Sequence, residues 1–265
     1  MQDLRLDLLQ TRLGKSLFAK NIIFHETLKS TNSLAKELAD QAAAEGTIVL
    51  AEEQTAGRGR MGRHWFSPRY ANLLVSLLLR PPMQPEAVFV LTLVLALAVI
   101  DGVEAVSGLS AAIKWPNDLY ANERKLGGIL TEFSVKSQWV EYVVLGLGLN
   151  VNWSPDDKAS VLYSATSIRA ETGVKVSRTG LLVEILKRFE AYYGKVAAGM
   201  VDEFYERWNQ HSMILGNQVE IQTPEGLIQG KATRIDTSGA LIIHDVHGQE
   251  QRVLCGDVSV TFKSA

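Results

Sequence analysis

The chain has 265 residues, 46% of them hydrophobic and 21% charged, with a formal net charge of -2. This is the composition of a globular protein with a sizeable core, and the near-neutral balance excludes a global field that recruits nucleic acid or an anionic membrane. The only cysteine, Cys255, excludes an internal disulfide and any multi-cysteine zinc site, and the five histidines fall at no metal-ligand spacing, so no metal site is expected. Met1-Gln2-Asp3-Leu4-Arg5 has no apolar signal core, which makes the cytoplasm the expected compartment.

Met1–Lys20 reads as a linker-like extension, and Asn21–Glu26 as the first strand. Ser30-Thr31-Asn32 supplies three consecutive N-cap residue types, and the helix that follows places Leu34, Ala35, Leu38, Ala39 and Ala42 on one face. Thr47–Ala51 is a second strand that delivers the chain into Gly57-Arg58-Gly59-Arg60-Met61-Gly62-Arg63-His64-Trp65. Asn72–Leu79 is a third strand. The apolar run from Ala87 to Ile100 falls short of the about 20 residues of a membrane span, and Asp101 and Glu104 follow at once, so it is expected as a helix buried behind the sheet. Ile113-Lys114-Trp115, Leu119–Ala121, Lys125–Phe133 and Trp139–Val151 complete the strands, with a tight hairpin at Asn122-Glu123-Arg124. Asn152–Ser177 is polar and irregular, with a short helix starting at Ala165–Ile168. Amphipathic helices follow over Gly180–Ala198 and Met200–His211. Beyond Gly216 the segments are short, β-rich and separated by Gly-containing turns at Thr223–Gly226, Thr237–Gly239 and Val246–Gly248, the texture of a small closed barrel. The division is therefore a mixed α/β domain over residues 1–214 and an all-β domain over 215–265.

Five segments carry chemistry. Arginine offers a permanently charged planar fork for carboxylate and phosphate oxygens, and the interleaved glycines free the backbone. Gly57–Trp65 is thus either a solvated basic turn or a pliable flap over an anionic ligand, with Gln54 just before it. Ser30-Thr31-Asn32 caps a helix, and a capped N-terminus also presents free N–H groups to an acceptor. In Lys114-Trp115-Pro116-Asn117-Asp118, Pro116 rules out a regular central ladder, and Lys114 either snorkels or joins the arginines. Lys125-Leu126-Gly127-Gly128 puts a lysine beside glycines that mark a bulge or a close approach. In Gly146-Leu147-Gly148-Leu149-Asn150 strand alternation puts Gly146, Gly148 and Asn150 on one face, either the floor of a ligand slot or the seat of a packed helix.

In this order and spacing the five segments resemble the biotin protein ligase family. The likeness extends from residue 20 to residue 262 and includes Gly256-Asp257-Val258-Ser259-Val260 in the last strand. The resemblance implies an α+β fold: a mixed sheet flanked by helices, like that of class II synthetases, with a small C-terminal SH3-like barrel. It implies a cytoplasmic enzyme that joins biotin to ATP as biotinyl-5′-AMP and then transfers biotin to a lysine of a biotin carboxyl carrier domain, with Mg²⁺ accompanying the nucleotide. By the same resemblance Ser30, Thr31, Asn32 and Gln54 read the biotin ureido ring, and Gly57, Gly59, Gly128, Gly146 and Gly148 leave room for the ligand. Arg58 and Arg60 close over biotin and phosphate, Arg63 reaches the triphosphate, and Lys125 holds the biotin carboxylate. Lys114, Asn117 and Asn150 face the nucleotide and its Mg²⁺, with Trp65 near the adenine. Catalysis is assigned to Lys125 and Arg58.

Two features depart from parts of that family. Met1–Lys20 is too short for the N-terminal helix-turn-helix of the bifunctional members, so no operator binding is expected. Thr261 stands where some relatives carry an arginine thought to reach the nucleotide, so no nucleotide contact is assigned to the barrel. Lipoate–protein ligase is the alternative with the same adenylate logic, although it lacks the Lys-Trp-Pro-Asn-Asp segment. A nucleic-acid binder built on Arg58, Arg60 and Arg63 is disfavoured by the acidic balance and the missing interleaved aromatics. A monomer and a homodimer both remain open.

Overall fold

Branched aliphatic runs bounded by turn residues build a seven-stranded sheet in the computed structural model, which describes residues 3–153, 165–223, 226–254 and 256–261. Helix α1 (Leu6–Leu13) precedes β1 (Ile22–Leu28), and α2 (Thr31–Asp40) crosses over to β2 (Ile48–Gln54), which lies parallel to β1. Strand β3 (Leu73–Leu79), helix α3 (Phe89–Ser107) and strands β4 (Ala112–Lys114), β5 (Asp118–Ala121), β6 (Arg124–Lys136) and β7 (Trp139–Leu149) follow. The strand order is β1-β2-β3-β7-β6-β5-β4. Asn122 and Glu123 join β5 to β6 with φ of 46° and 60°, the two positive values that a tight two-residue hairpin requires.

Strand β7 sets the two faces of the sheet. Leu145, Leu147 and Leu149 enter the large core, while Tyr142 and Val144 pack beneath α2 with Ala35 and Ala39. Ala42 lies beyond the end of α2, with φ of 60°, and so leaves the stripe expected for it. Helix α3 covers the leucine face, and every residue from Val90 to Ile100 is buried. Pro85–Ser107 is longer than the apolar run suggests and has the length and apolarity of a membrane span. Yet 78% of its most apolar stretch is buried inside the molecule, as in a core helix. Its Asp101 is met by Arg207 at 2.7 Å and by the Tyr192 hydroxyl.

Helices α4 (Ile168–Thr172), α5 (Arg178–Ala197) and α6 (Asp202–His211) lead to a second sheet of β8 (Gln218–Thr223), β9 (Gly226–Ile235), β10 (Leu241–His244), β11 (Glu250–Val253) and β12 (Asp257–Thr261). It is antiparallel in the order β11-β10-β9-β8-β12. Five short antiparallel strands separated by turns agree with the small all-β domain expected here, with β11 and β12 at the ends of the hydrogen-bonded order among the described residues. This sheet rests on the first domain through Trp115, whose buried indole N–H donates to the Gly239 carbonyl at 2.9 Å, and through Phe89, whose ring fills the space a side chain at Gly239 needs.

The N-terminal segment differs from the linker-like extension expected of it. Leu9, Leu13 and Phe18 are buried in the main core, and α1 packs along α5. Arg178, fully buried, donates to Asp3 Oδ1 at 2.5 Å and forks onto Glu52 at 2.5 and 3.0 Å, while its Nη1 also reaches the Asn72 carbonyl at 3.0 Å. Burial alone opposes the guanidinium charge, but hydrogen bonds to Glu52 and Asp3 outweigh it and raise the Arg178 pKa above its ordinary value. Breaking such a pair leaves a buried charge uncompensated. Arg178→Met is expected to lose about 3–5 kcal/mol of stability in urea titrations, much of it recovered when Glu52→Met is added. Equal stability of wild type and Arg178→Met would contradict this account.

Candidate active site

The site occupies the α2 face of the sheet, at the C-terminal end of β7, in a cavity of about 780 Å³ roofed by the Gly57–Trp65 flap and closed at one side by the start of β12. That volume suits a cofactor-sized ligand. The flap is more ordered than a pliable glycine run implies. Gly59 N–H donates to the Arg63 carbonyl at 2.7 Å and Trp65 N–H to Gly57 at 2.9 Å, so the segment is a small hairpin with Met61 and Gly62 at its tip. Gly57 permits this closure, because a Cβ there would stand 2.6 Å from the Trp65 carbonyl.

At the first turn of α2 the side chains hold one another. Gln54 Oε1 accepts from the Thr31 N–H at 2.7 Å and the Thr31 hydroxyl at 3.1 Å, while Ser30 Oγ caps Ser33 N–H at 3.4 Å. Asn32 donates to the Leu130 carbonyl (3.1 Å) and to Glu132 (2.9 Å), and accepts from Ser76 (2.6 Å). Asn32 is therefore committed to the protein, whereas Gln54 keeps its Nε2 without a partner among the described residues. Glu132 also takes Lys36 at 2.5 Å. Burial would raise the Glu132 carboxyl, but hydrogen bonds from Lys36 and Asn32 overcome it and hold the group below the ordinary glutamate range.

The glycine strip is covered rather than bare. Gly146 lies beneath the Asn32 amide at the first turn of α2, and a Cβ at Gly148 would stand 2.6 Å from the Trp65 indole, so one glycine seats the helix and the other seats the flap. Trp65 Nε1 is buried with no hydrogen-bond partner among the described residues. Lys125 Nζ stands 5.7 Å from the Trp65 ring centroid and 2.7 Å from Asp118. Its position follows from a bulge: Leu119 pairs with Gly127 but Tyr120 with Lys125, so Leu126 is the extra residue. Gly128 leaves room for this pair, since a Cβ there would reach 3.0 Å from Asp118 Oδ1.

Lys114 lies over the Tyr120 ring, 5.4 Å from its centroid. Burial first, then the like charges of Lys125 and Arg63, push its pKa down against the pull of Asp118. Arg58 donates to Ser33 Oγ at 2.9 Å and Arg60 to Asn117 Oδ1 at 3.4 Å, while Arg63 pairs with Asp257 at the start of β12. Asn117, expected at the nucleotide, lines the cavity and is also engaged by the protein. Its Nδ2 donates to the Ile129 carbonyl at 2.5 Å, its carbonyl accepts from Ile129 N–H at 2.9 Å, and it acts as a clamp on the turn. Among the described residues Gln54 Nε2, Trp65 Nε1 and Lys114 Nζ are donors at this cavity with no hydrogen-bonded acceptor, groups that suit a ligand rich in acceptor oxygens.

Known proteins agree with this geometry. Residues 24–150 match the profile of the biotin/lipoate A/B protein ligase family, and residues 214–260 match the biotin protein ligase C-terminal domain. The bifunctional ligase/repressor BirA of Bacillus subtilis is 37% identical over 237 residues, which span 89% of this chain and 73% of that protein. The biotin–[acetyl-CoA-carboxylase] ligase of Paracoccus denitrificans is 35% identical over 226 residues, 83% of this chain and 93% of that one. The chain belongs to the biotin protein ligase family. Among solved structures, biotin protein ligase from Aquifex aeolicus in complex with biotin and ATP matches with a TM-score of 0.76 at 30% identity, over 92% of this chain and 100% of that one.

Within this biotin protein ligase fold, Ser76, Asp118, Glu132 and Asp257 are site residues that the sequence reading did not assign. Ser76 carried a signal, as the lone hydroxyl in the leucine-rich β3, and Glu132 carried one as a charge on the strand face shared with Gly128. Because the folded Glu132 titrates below its unfolded counterpart, its stabilisation is complete above about pH 4.5 and fades as pH falls through the folded value. Glu132→Gln is expected to melt below wild type near neutrality, with the gap closing on acidification. A gap unchanged across the acid range would remove Glu132 from this role.

Proposed function

We infer that this protein is a biotin–protein ligase. A biotin carboxylate oxygen attacks the α-phosphorus of ATP, the bond to the β,γ-diphosphate breaks, and biotinyl-5′-AMP and pyrophosphate result. A lysine amine of a biotin carboxyl carrier domain then attacks the acyl carbon. AMP leaves with the bonding pair, and the amine gives up a proton. The observation that carries this reading is the convergence of Lys114, Lys125 and the flap arginines on one cavity.

Two anions must meet in the first step, so fixed positive charge has to offset their repulsion and steady the charge growing on phosphate. Lys125 is the group proposed for the biotin carboxylate, leaving Asp118 as the anion binds. Arg58 and Arg60 cover biotin and phosphate, Arg63 exchanges Asp257 for the triphosphate, and Trp65 lies against the adenine. Ser30, Thr31 and Gln54 form the ureido side, where Gln54 Nε2 supplies a donor for the ureido oxygen. Mg²⁺ arrives on the nucleotide. No group of three or more His, Cys, Asp or Glu able to hold a metal exists among the described residues, and Mg²⁺ characteristically leans on substrate phosphates. The adenylate is a mixed anhydride that water destroys, so a closed flap protects it until the acceptor arrives. The need for ATP and the single cysteine support a cytoplasmic setting for the reaction.

The test is incubation with biotin, Mg-ATP and a carrier domain, reading a mass increase on one acceptor lysine, with lipoate in parallel. Labelling by lipoate and not by biotin would overturn the reading. Lys125→Ala is expected to slow biotin-dependent pyrophosphate release by about 10²–10³-fold, the scale for losing one charge-stabilising group. Arg58→Gly is expected to release biotinyl-5′-AMP into solution and to label lysines of unrelated proteins. An adenylate as long-lived on that variant as on wild type would show that Arg58 does not retain it.

A further inference from the structure

Asn72, which precedes β3 and is 3% exposed, lies behind the cavity wall and outside the set of groups assigned to ligands above. A buried amide must place both of its ends, and here the backbone decides which is which. Val151 N–H, a group that can only donate, lies 2.9 Å from one end of the Asn72 amide, so that end is the oxygen. The other end is therefore nitrogen, and it reaches two acceptors at 3.1 Å: Asn150 Oδ1 and the hydroxyl of Ser67, two residues beyond Trp65 at the base of the flap. Asn150 must then turn its own oxygen toward Asn72. Its Nδ2 has no partner among the described residues, and it sits at the end of the glycine strip, where Asn150 lines the cavity.

We propose that Asn72 is a positioning residue for the nucleotide half of the site: it fixes the polarity of the Asn150 amide, so that the cavity meets an N–H donor, and it ties that donor to the stem of the flap. This rests on the ligase reading of the site. Arg178 completes the arrangement by holding the Asn72 carbonyl at 3.0 Å while gripping Glu52 in β2, so the backbone carrying the amide cannot swing. The consequence is chemical. A donor fixed in this orientation addresses a ring nitrogen or a phosphate oxygen of the nucleotide, and it cannot coordinate Mg²⁺, which removes Asn150 nitrogen from any role at the metal.

The variant that isolates this role is Asn72→Asp. It keeps the acceptor for Val151 N–H and the side-chain volume, but places an oxygen against Asn150 Oδ1, so the Asn150 amide has to turn over. In biotin-dependent ATP–pyrophosphate exchange the expected result is a KM for ATP raised roughly tenfold or more, with the KM for biotin within about twofold of wild type. Adding Asn150→Ala to Asn72→Asp is expected to cost nothing further in KM for ATP, since both changes remove the same donor. Equal rises in both KM values, additive losses in the double variant, or no change would overturn the proposal. Should Asn72→Asp fail to fold, a crystal structure of the wild-type protein with a non-hydrolysable ATP analogue decides. The proposal requires a nucleotide acceptor atom within hydrogen-bond distance of Asn150 Nδ2, and fails if that nitrogen faces Asn72. A wild-type protein with no biotin-dependent exchange sinks the ligase reading and this proposal together, whereas normal exchange by Asn72→Asp sinks the proposal alone.

Discussion

A strand has only two faces, and on β7 each does a separate job. Leu145, Leu147 and Leu149 bind the sheet to α3, a helix apolar on every side that can exist in water only when enclosed. Gly146, Gly148 and Asn150, one residue out of phase, face α2 and the cavity. A shift of register by one residue would turn the amide into the apolar core and the leucines toward α2 and the cavity, so the stability of the core and the placement of the site depend on the same hydrogen-bonded pairing with β3 and β6. Loss of either function is loss of both.

Three cations of the site are held by carboxylates. Lys125 rests on Asp118, Arg63 on Asp257, and Lys36 on Glu132, which neutralises charges that would otherwise repel across a half-buried space. Lys114 has no ion-pair partner among the described residues, and burial, before the like charges of Lys125 and Arg63, lowers its pKa. A polyanionic ligand is then met by groups already oriented, which exchange one set of oxygen partners for another. Preorganisation of this kind keeps the reorganisation needed during reaction small.

The second sheet takes part in that arrangement. Asp257 opens β12 and holds an arginine of the flap, while Trp115, in the turn that also carries Asn117, is hydrogen-bonded to Gly239. The flap and the β4–β5 turn thus each touch the C-terminal domain, and the cavity wall includes Gly256 and Ser259. Membership of the biotin protein ligase family accounts for the pairing of these two domains, and the contacts show how the smaller one bears on the larger one's ligand space.

Much of this was legible in the chain itself. Alternation assigned the two faces of β7, the Asn122-Glu123 turn marked the β5–β6 hairpin, and the ordered recurrence of Gln54, the Gly/Arg run, Lys114–Asp118, Lys125–Gly128 and Gly146–Asn150 pointed to the family, because local backbone and side-chain periodicity are properties of short segments. What the sequence could not determine depends on pairs distant along the chain. Asp3 with Arg178 turned an apparent linker into core, Arg63 found Asp257, Asn32 and Asn117 were engaged by the protein, and the glycine strip was covered by Asn32 and Trp65. Asn72 shows the distinction most clearly. As a residue it is an ordinary polar start to a strand, and only when folding brings Val151 N–H to one end of its amide is the polarity of that amide, and through it of Asn150, decided.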